Sequence, residues 1–545
     1  GDSQTESIAH LPSGITASTV NSYVLSASSA TSKGNWQNWS FNSHFSYKSR
    51  YNLGLSIRAD GDSKFGPAHK WAYFPSVSFR WNIIDEPFMK PLRKVVSMLA
   101  FRPSWGMVGN TPKSGTVYYE SYNLTGNGSY GSNMQAAVMT QMKLDDLKWE
   151  TTNSYNLGFN LGLFDDKIEA EFEYYYKKTT DLLMEKVNIP ATTGYAQVAY
   201  ANVGAMTNEG WELNLNFNDI IKKGKFRLSA NLNIAQNYNE LTEMDDAVLA
   251  SLNSEWNKAN GSYLSRVQVG NPLGSIYGLK YQGVYQYTYE YLTNMATENN
   301  WTSAQFEDYI NNSFLAKGKT APVARDANGK VIMNSDGTPK RMVFDYSGTN
   351  YQFQGGDAIY EDINNDGEIN ELDIVYLGNS MPKVNGGFGI TMSYGNWTLR
   401  TNFNYRFGFK VVNKARMDLQ SMSGSYNQTS AVNYRWRKDG DVTPMPRAMY
   451  GSTAAYNYLG SDRYVEDASF VRFQYFQLTY RVPSKLLKPL GLNSLSVYLS
   501  GNNLFCWTKY SGTDPEHSVK SYSYAIDESN TPRSKSFTVG LNVSF

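Results

Sequence analysis

Lys535-Ser536-Phe537-Thr538-Val539-Gly540-Leu541-Asn542-Val543-Ser544-Phe545, the last stretch of the chain, decides how the rest is read. Phe537, Val539, Leu541, Val543 and Phe545 alternate with Thr538, Gly540, Asn542 and Ser544. Successive side chains of a strand point to opposite faces, so this segment carries one apolar and one polar face. A strand of that kind, finishing on an aromatic, suits the closing strand of a barrel with hydrocarbon outside and water within.

The same period of two recurs upstream, at Trp39 to Tyr47, Tyr51 to Arg58, Phe74 to Ile84, Leu99 to Met107, Asn153 to Leu163, Lys167 to Thr179, Met206 to Asn218 and Lys225 to Tyr238. It returns at Val384 to Tyr394, Trp397 to Lys410, Ser469 to Val482 and Leu495 to Leu504. Each segment is close to the roughly 9 to 11 residues that a tilted strand needs to cross a bilayer. Short links are expected at Lys48-Ser49, Phe164-Asp165-Asp166, Asp219 to Gly224, Gly395-Asn396 and Ser484 to Leu490, with long excursions near 59–73, 108–152, 180–205, 411–465 and 505–534. Outer-membrane barrels alternate short periplasmic turns with long extracellular loops in this way, whereas a soluble sandwich has no reason to. The segments give about thirteen strands, or about fifteen if Ser275 to Tyr287 and Arg341 to Tyr346 join them. Both totals are odd where closed single-chain barrels are normally even, so an open seam or strands outside this stretch are expected.

Composition agrees. Tyr (41), Phe (26) and Trp (12) make up 14% of the residues, yet mean hydropathy is only −0.49. Amphipathic aromatics without long apolar runs suit a barrel with aromatic girdles, and the missing run of about 18 apolar residues excludes a transmembrane helix. Lys and Arg (50) balance Asp and Glu (49), so no global field points to nucleic acid. The local cluster Arg435-Trp436-Arg437-Lys438 reads as solvated loop charge. The lone Cys506 and four His give no thiol site, and neither a Ser-His-Asp set nor a phosphate loop can be argued, so no enzyme is expected. Glu169, Glu171 and Glu173 share one strand face and read as a hydrated lumen wall rather than a glycosidase pair. The chain opens on GDSQTES without a signal-peptide pattern, so an exported protein is expected to have begun further upstream.

Several blocks resemble one family, the SusC/RagA-type TonB-dependent transporters of the Bacteroidetes outer membrane. They are DGDSKFGPAHKWAYFPSVSFRWNIIDEPFM (Asp60 to Met89), LAFRPSWGMVGN (Leu99 to Asn110), NEGWELNLNF (Asn208 to Phe217), GNPLGSIYGLKYQGVYQ (Gly270 to Gln286), DINNDGEINELDIVYLGNSMPKVNGGF (Asp362 to Phe388), VEDASFVRFQYFQLTYRVP (Val465 to Pro483) and SGNNLFCWTKYSGTDPE (Ser500 to Glu516). The resemblance implies an all-β transmembrane antiparallel barrel of 22 strands, of which residues 1–545 are the C-terminal portion, with the plug and TonB box not in this chain. It further implies import of oligosaccharides or peptides, a SusD-like surface lipoprotein as lid, and coupling to the TonB complex through the absent N-terminal segments. Tyr118, Tyr119, Tyr122 and Tyr130 would then stand near the mouth, as sugar-stacking rings or as girdle and lid contacts.

One motif carries sharper chemistry. DINNDGEINELD (Asp362 to Asp373) fits the calcium-loop template, with Asp362, Asn364 and Asp366 at positions 1, 3 and 5, Gly367 at the turn, the Glu368 carbonyl, Asn370, and Asp373 at position 12 in place of the usual Glu. Ca²⁺ is therefore expected there, in a dockerin-like loop that stiffens a rim segment. The alternative is a tight turn in which Asn and Asp cap their own backbone. For the whole chain the alternatives to import are a passive surface anchor or adhesin barrel, and a secreted all-β glycan-binding or hydrolytic protein.

Overall fold

The computed structural model describes residues 2–7, 26–31, 34–113, 117–125, 136–188, 197–252, 267–345, 349–451, 456–519 and 523–545. Its principal sheet has 13 strands. They are β1 (Trp36–Tyr47), β2 (Tyr51–Asp62), β3 (Trp71–Asn82), β4 (Val96–Asn110), β5 (Glu150–Leu163), β6 (Ile168–Thr180), β7 (Gly204–Lys223), β8 (Phe226–Met244), β9 (Val384–Tyr394), β10 (Trp397–Phe407), β11 (Phe470–Arg481), β12 (Ser494–Thr508) and β13 (Ser536–Ser544). Each neighbours the strand before and after it in the chain, an up-and-down meander with antiparallel registers. Among the described residues no helix is long and apolar enough to cross a membrane.

The chain divides into two compact units, Gly1–Glu212 with Asn239–Ser251, and Leu213–Tyr238 with Leu252–Phe545. In the first, the apolar positions of neighbouring strands stand opposite one another. Leu157 pairs with Tyr174 and Phe159 with Phe172, and Phe101 meets Phe159 at 4.9 Å between ring centroids. Leu157, Phe159, Phe172 and Tyr174 are all exposed. The alternate positions are polar, and there Arg102 Nη2 reaches Glu171 Oε1 at 2.5 Å across the sheet. A one-residue slip in register would exchange these faces wholesale.

The second unit repeats the arrangement with a ladder of rings. Phe388, Phe403, Phe473 and Phe505 occupy matched positions on β9, β10, β11 and β12. Two successive centroid separations are both 4.6 Å with the rings almost parallel; each such pair contributes about 0.5–1.5 kcal/mol beyond area burial. On β13, Phe537, Val539, Leu541 and Val543 are exposed, with Val539 and Leu541 opposite Leu499 and Val497. An apolar face of this extent is unfavourable in water and favourable against hydrocarbon.

Turn geometry accounts for the alternation of connections. Lys48 and Ser49 both take positive φ, 51° and 57°, the backbone that a two-residue hairpin needs to match strand twist. The other connections at the same end are 83–95, 164–167, 224–225, 395–396 and 482–493, none longer than 13 residues, and those at the opposite end are 63–70, 111–149, 181–203, 245–383, 408–469 and 509–535. Because successive connections of a meander lie at opposite ends of the strands, every connection longer than 13 residues leaves from the same end.

Three expectations change. Asp219 to Gly224 is not a link, because β7 continues to Lys223 and the turn is Gly224-Lys225; Arg227 and the Ser229 hydroxyl engage Asp219 across the hairpin and hold the extension in place. The pair that raised the count to about fifteen lies outside the principal sheet, as Ser275–Gly278, Tyr281–Val284 and Val343–Phe344 belong to small separate sheets; Tyr346 is outside the described residues. Within β11 the plain alternation expected for Ser469 to Val482 is broken, since the register shifts between Phe473 and Tyr475. This bulge puts Phe473 and Phe476 on the same face although they are three residues apart.

Replacing Leu157 by Arg on the exposed apolar face is expected to destabilise the folded barrel by about 2–4 kcal/mol, while Ser154→Arg on the opposite face costs far less. Urea titration in lipid vesicles, read by heat-modifiable gel mobility, checks the difference; equal costs would mean both faces meet the same medium.

Candidate functional site

In the second unit the long excursions fold into compact structure of their own. Short strands pair at a distance in sequence: Ser275–Gly278 with Val375–Asn379, Tyr281–Val284 with Ala358–Tyr360, and Lys410–Asn413 between Val465–Asp467 and Ile526–Asp527. Strands of this length are not stable alone. They are held by apolar packing in which Leu279, Phe344, Phe353, Ala358 and Leu459 are fully buried. Two helices, Tyr289–Glu298 and Ser303–Asp308, bury Leu292 and Phe306 beside Ile310 and Phe314. Thr288 and Thr302 start them by accepting hydrogen bonds from Tyr291 N and Gln305 N, the ordinary remedy for unpaired first-turn amides.

At the centre of this packing lies a buried carboxylate that no sequence pattern marks. Asp357 is wholly inaccessible to solvent. Arg447 Nε donates to its Oδ1 at 2.7 Å, and the Tyr351 hydroxyl and Gln354 amide donate to Oδ2, each at 2.8 Å. Burial opposes charge on Arg447, but the Asp357 hydrogen bond and charge outweigh it and raise the guanidinium pKa. Burial first, and then the Asp357 charge, drive the Tyr351 hydroxyl well above its ordinary value, so it remains a donor. No spacing rule joins residues 90 positions apart in the chain.

The segment Asp362 to Asp373 forms a tight, self-bonded loop. Asp362 accepts from Gly367 N at 2.8 Å and Asp366 N at 3.3 Å, and Asp366 accepts from Glu368 N at 2.8 Å. Gly367 takes φ +83°, and a Cβ there would lie 2.7 Å from the Ala324 methyl, so both backbone and space require glycine. Asp373 is inaccessible and accepts from Ile363 N at 2.8 Å and Asn370 N at 2.9 Å. Asn370 caps the following turn by accepting from Leu372 N at 2.8 Å. Burial pushes Asp373 up to about 6, with Asp362 and Asp366 adding to the rise against the two amides. Among the described residues no three His, Cys, Asp or Glu are gathered as a metal centre; the loop is drawn round by amides, with Asn364 also donating to Asp366 at 2.7 Å.

In the first unit Phe65, Phe74, Val117, Leu147, Trp149 and Tyr200 form a core beneath the loops. Tyr118 and Tyr119 meet edge to face at 5.0 Å, with Lys143 over the Tyr118 ring at 5.3 Å. Tyr119 and Tyr122 are exposed, and Tyr130 lies outside the described residues. Glu171 is occupied by Arg102, which is the behaviour of a paired wall charge.

The family model "TonB dependent receptor-like, beta-barrel" matches residues 11–365. TonB-dependent receptor P39 of Formosa agariphila is 30% identical over 514 residues, covering 92% of this chain and 45% of its own length. TonB-dependent receptor SusC of Bacteroides thetaiotaomicron is 26% identical over 513 residues, covering 92% and 43%. The chain thus spans somewhat under half the length of the curated relatives it matches. Among solved structures, one described as the RagAB peptide transporter superposes with a TM-score of 0.70 at 22% identity, covering 97% of this chain and 49% of that one. At that identity the likeness speaks to the fold.

Arg447→Ala would leave Asp357 buried without its counter-charge, at an expected cost of about 3 kcal/mol to local stability. Hydrogen exchange at the Asp357 to Tyr360 amides is expected to accelerate while β9 to β13 keep their protection. Unchanged exchange would mean that Tyr351 and the Gln354 amide carry the carboxylate unaided.

Proposed function

The chain belongs to the TonB-dependent receptor-like β-barrel family of the bacterial outer membrane, and from that premise we propose that it is the barrel portion of an active importer of oligosaccharides or peptides. The observation that carries this reading is the placement of folded excursions at a single end of a sheet whose outer face is apolar. A strand meander supplies the wall through the bilayer. The packed excursions supply a rigid surface at its mouth, where a solute too large to diffuse is held before passage. In this reading a SusD-like lipoprotein covers the mouth, a plug preceding this stretch closes a 22-strand barrel, and the TonB complex supplies energy through that plug. The family resemblance of the sequence blocks supports these partners. A passive anchor would use the same wall, but it has no need of excursions folded around buried pairs such as Asp357 with Arg447.

Deletion of the gene in the source bacterium is expected to abolish accumulation of one labelled class of oligosaccharide or peptide, and deletion of TonB to abolish the same uptake. Unchanged uptake in both strains would favour the anchor or adhesin.

We further infer that Asp362 to Asp373 takes Ca²⁺, through Asp362, Asn364, Asp366, the Glu368 carbonyl, Asn370 and Asp373, to stiffen this part of the excursion. The DxNxDG spacing and the left-handed Gly367 at position six support it. Calorimetry on chelator-treated protein is expected to detect one site with a dissociation constant on the order of 10⁻⁴–10⁻³ M, typical of extracellular modules. Asp362→Ala should abolish it. Absence of a binding heat, with the loop equally resistant to protease in calcium and in chelator, would leave only the self-capped turn.

A further inference from the structure

Arg435, Arg437 and Lys438, three members of the basic tetrad that reads from sequence as solvated charge, line an open cleft of about 920 Å³ together with Tyr434, Val442, Pro444 and Met445. The fourth member, Trp436, turns away from the cleft and into the fold. Its Nε1 donates to Gln286 O and its amide to Met445 O, both at 3.0 Å, and Gly356 leaves room for its ring, since a Cβ there would lie 2.3 Å from Trp436 Cε3. The anchored ring fixes the backbone on either side of it, so that Arg435, Arg437 and Lys438 are held at the cleft rather than on a free loop.

Their charge is not neutralised. Among the described residues no ion pair includes Arg435, Arg437 or Lys438, and the guanidinium groups donate to the carbonyls of Val432 and Asn433. Of the two neighbouring acids, Asp441 shares the lining of the cleft and Asp439 does not. Asp441 accepts from the backbone amides of Arg437 and Lys438 at 2.9 and 3.1 Å, and Asp439 accepts from the amide and hydroxyl of Thr288 at 2.7 and 3.1 Å. Behind the wall, Arg463 touches Met445 Sδ and lies over the rings of Tyr281 and Tyr464 rather than against a carboxylate. Its Nη1 is buried with no hydrogen-bond partner. Three cations and one carboxylate on the lining, with a fourth cation behind Met445, leave a positive excess on one concave surface. Beside them Tyr434 and Val442 stand 77% and 82% exposed, apolar surface left open for a ligand to cover.

We propose that this cleft binds an anionic oligosaccharide, one whose rings carry uronate carboxylates or sulfate esters. Arginine forks match such groups in a bidentate manner, while an exposed tyrosine and the Val442 and Pro444 side chains offer a flat apolar wall to the C–H face of a sugar ring. An acidic peptide would satisfy the charges, but it meets Tyr434 only where an aromatic or proline side chain lies between its carboxylates, whereas every ring of a saccharide carries a C–H face. The proposal deepens the import reading and rests on it, since the cleft lies in the excursion 408–469 at the long-loop end of the strands.

The test uses the whole protein in detergent micelles and four probes: oligogalacturonate, its methyl ester, a sulfated carrageenan oligosaccharide, and oligoglutamate. Binding is followed by calorimetry at two salt concentrations. At least one anionic saccharide is expected to bind about tenfold or more tightly than the methyl ester, with affinity falling as salt rises. The triple substitution Arg435→Gln, Arg437→Gln, Lys438→Gln should remove that preference, Arg437→Lys should keep part of it, and Tyr434→Ala should weaken the saccharides but not oligoglutamate. Heat-modifiable mobility shows whether each variant is folded. Equal affinity for acid and ester, or a preference that survives the triple substitution, overturns the proposal; so does tighter binding of oligoglutamate than of either anionic saccharide. Those outcomes leave import itself standing, because that reading fails only if the gene deletion spares all uptake.

Discussion

Inside a bilayer every backbone amide and carbonyl must find its partner within the protein, and this constraint governs the principal sheet. Strands meet it only by pairing with neighbours on both sides, and pairing in register fixes which side chains face out. The matched rows Phe388, Phe403, Phe473 and Phe505, and Leu157 with Tyr174, are the consequence. Once the apolar rows face hydrocarbon, the alternate rows face water, where Arg102 and Glu171 can meet as charges. The longest connections, 111–149, 245–383 and 408–469, all fall at one end of the meander, so most of the elaboration is gathered there.

The excursions obey different physics. Away from lipid they must exclude water to hold their shape, and they do so with small, separate clusters such as that around Phe344 and Leu459. The carboxylate caught in that packing is paired on every side, Asp357 accepting from Arg447, Tyr351 and the Gln354 amide. Arg435, Arg437, Lys438 and Arg463 make no ion pair among the described residues, and the first three line the open cleft proposed to hold a ligand.

The strands are the legible part of the sequence, since a lipid-facing wall imposes an apolar residue at every second position and little else in a polar chain does. Val384 to Tyr394 is read to the residue. The bulge at Phe473 to Tyr475 stays hidden because alternation reports parity and cannot show where it resets. The extension of β7 past Asp219 stays hidden because Asp, Lys and Gly there look like a turn, although cross-strand contacts from Arg227 and Ser229 keep it extended. The excursions are nearly opaque: strands of two to five residues carry no usable period, and partners such as Asp357 and Arg447 lie far apart in the chain. The Asp362 loop is visible because its template is local. The tetrad at Arg435 is visible as charge but not as a site, since the anchoring of Trp436 and the turning of Asp439 to Thr288 are what distinguish it from a solvated loop.

Fold and function alike depend on one face of the principal sheet meeting hydrocarbon and the other meeting water. Nitroxide labels placed one at a time from Ser154 to Asn160 in β5, in protein reconstituted into lipid bilayers, test this most directly through their collision rates with oxygen and with a water-soluble nickel chelate. Strict alternation is expected, with oxygen favoured at positions 155, 157 and 159 and nickel at those between them. Uniformly low access to both reagents at every odd position would place those side chains in a dry protein interior and contradict the membrane assignment.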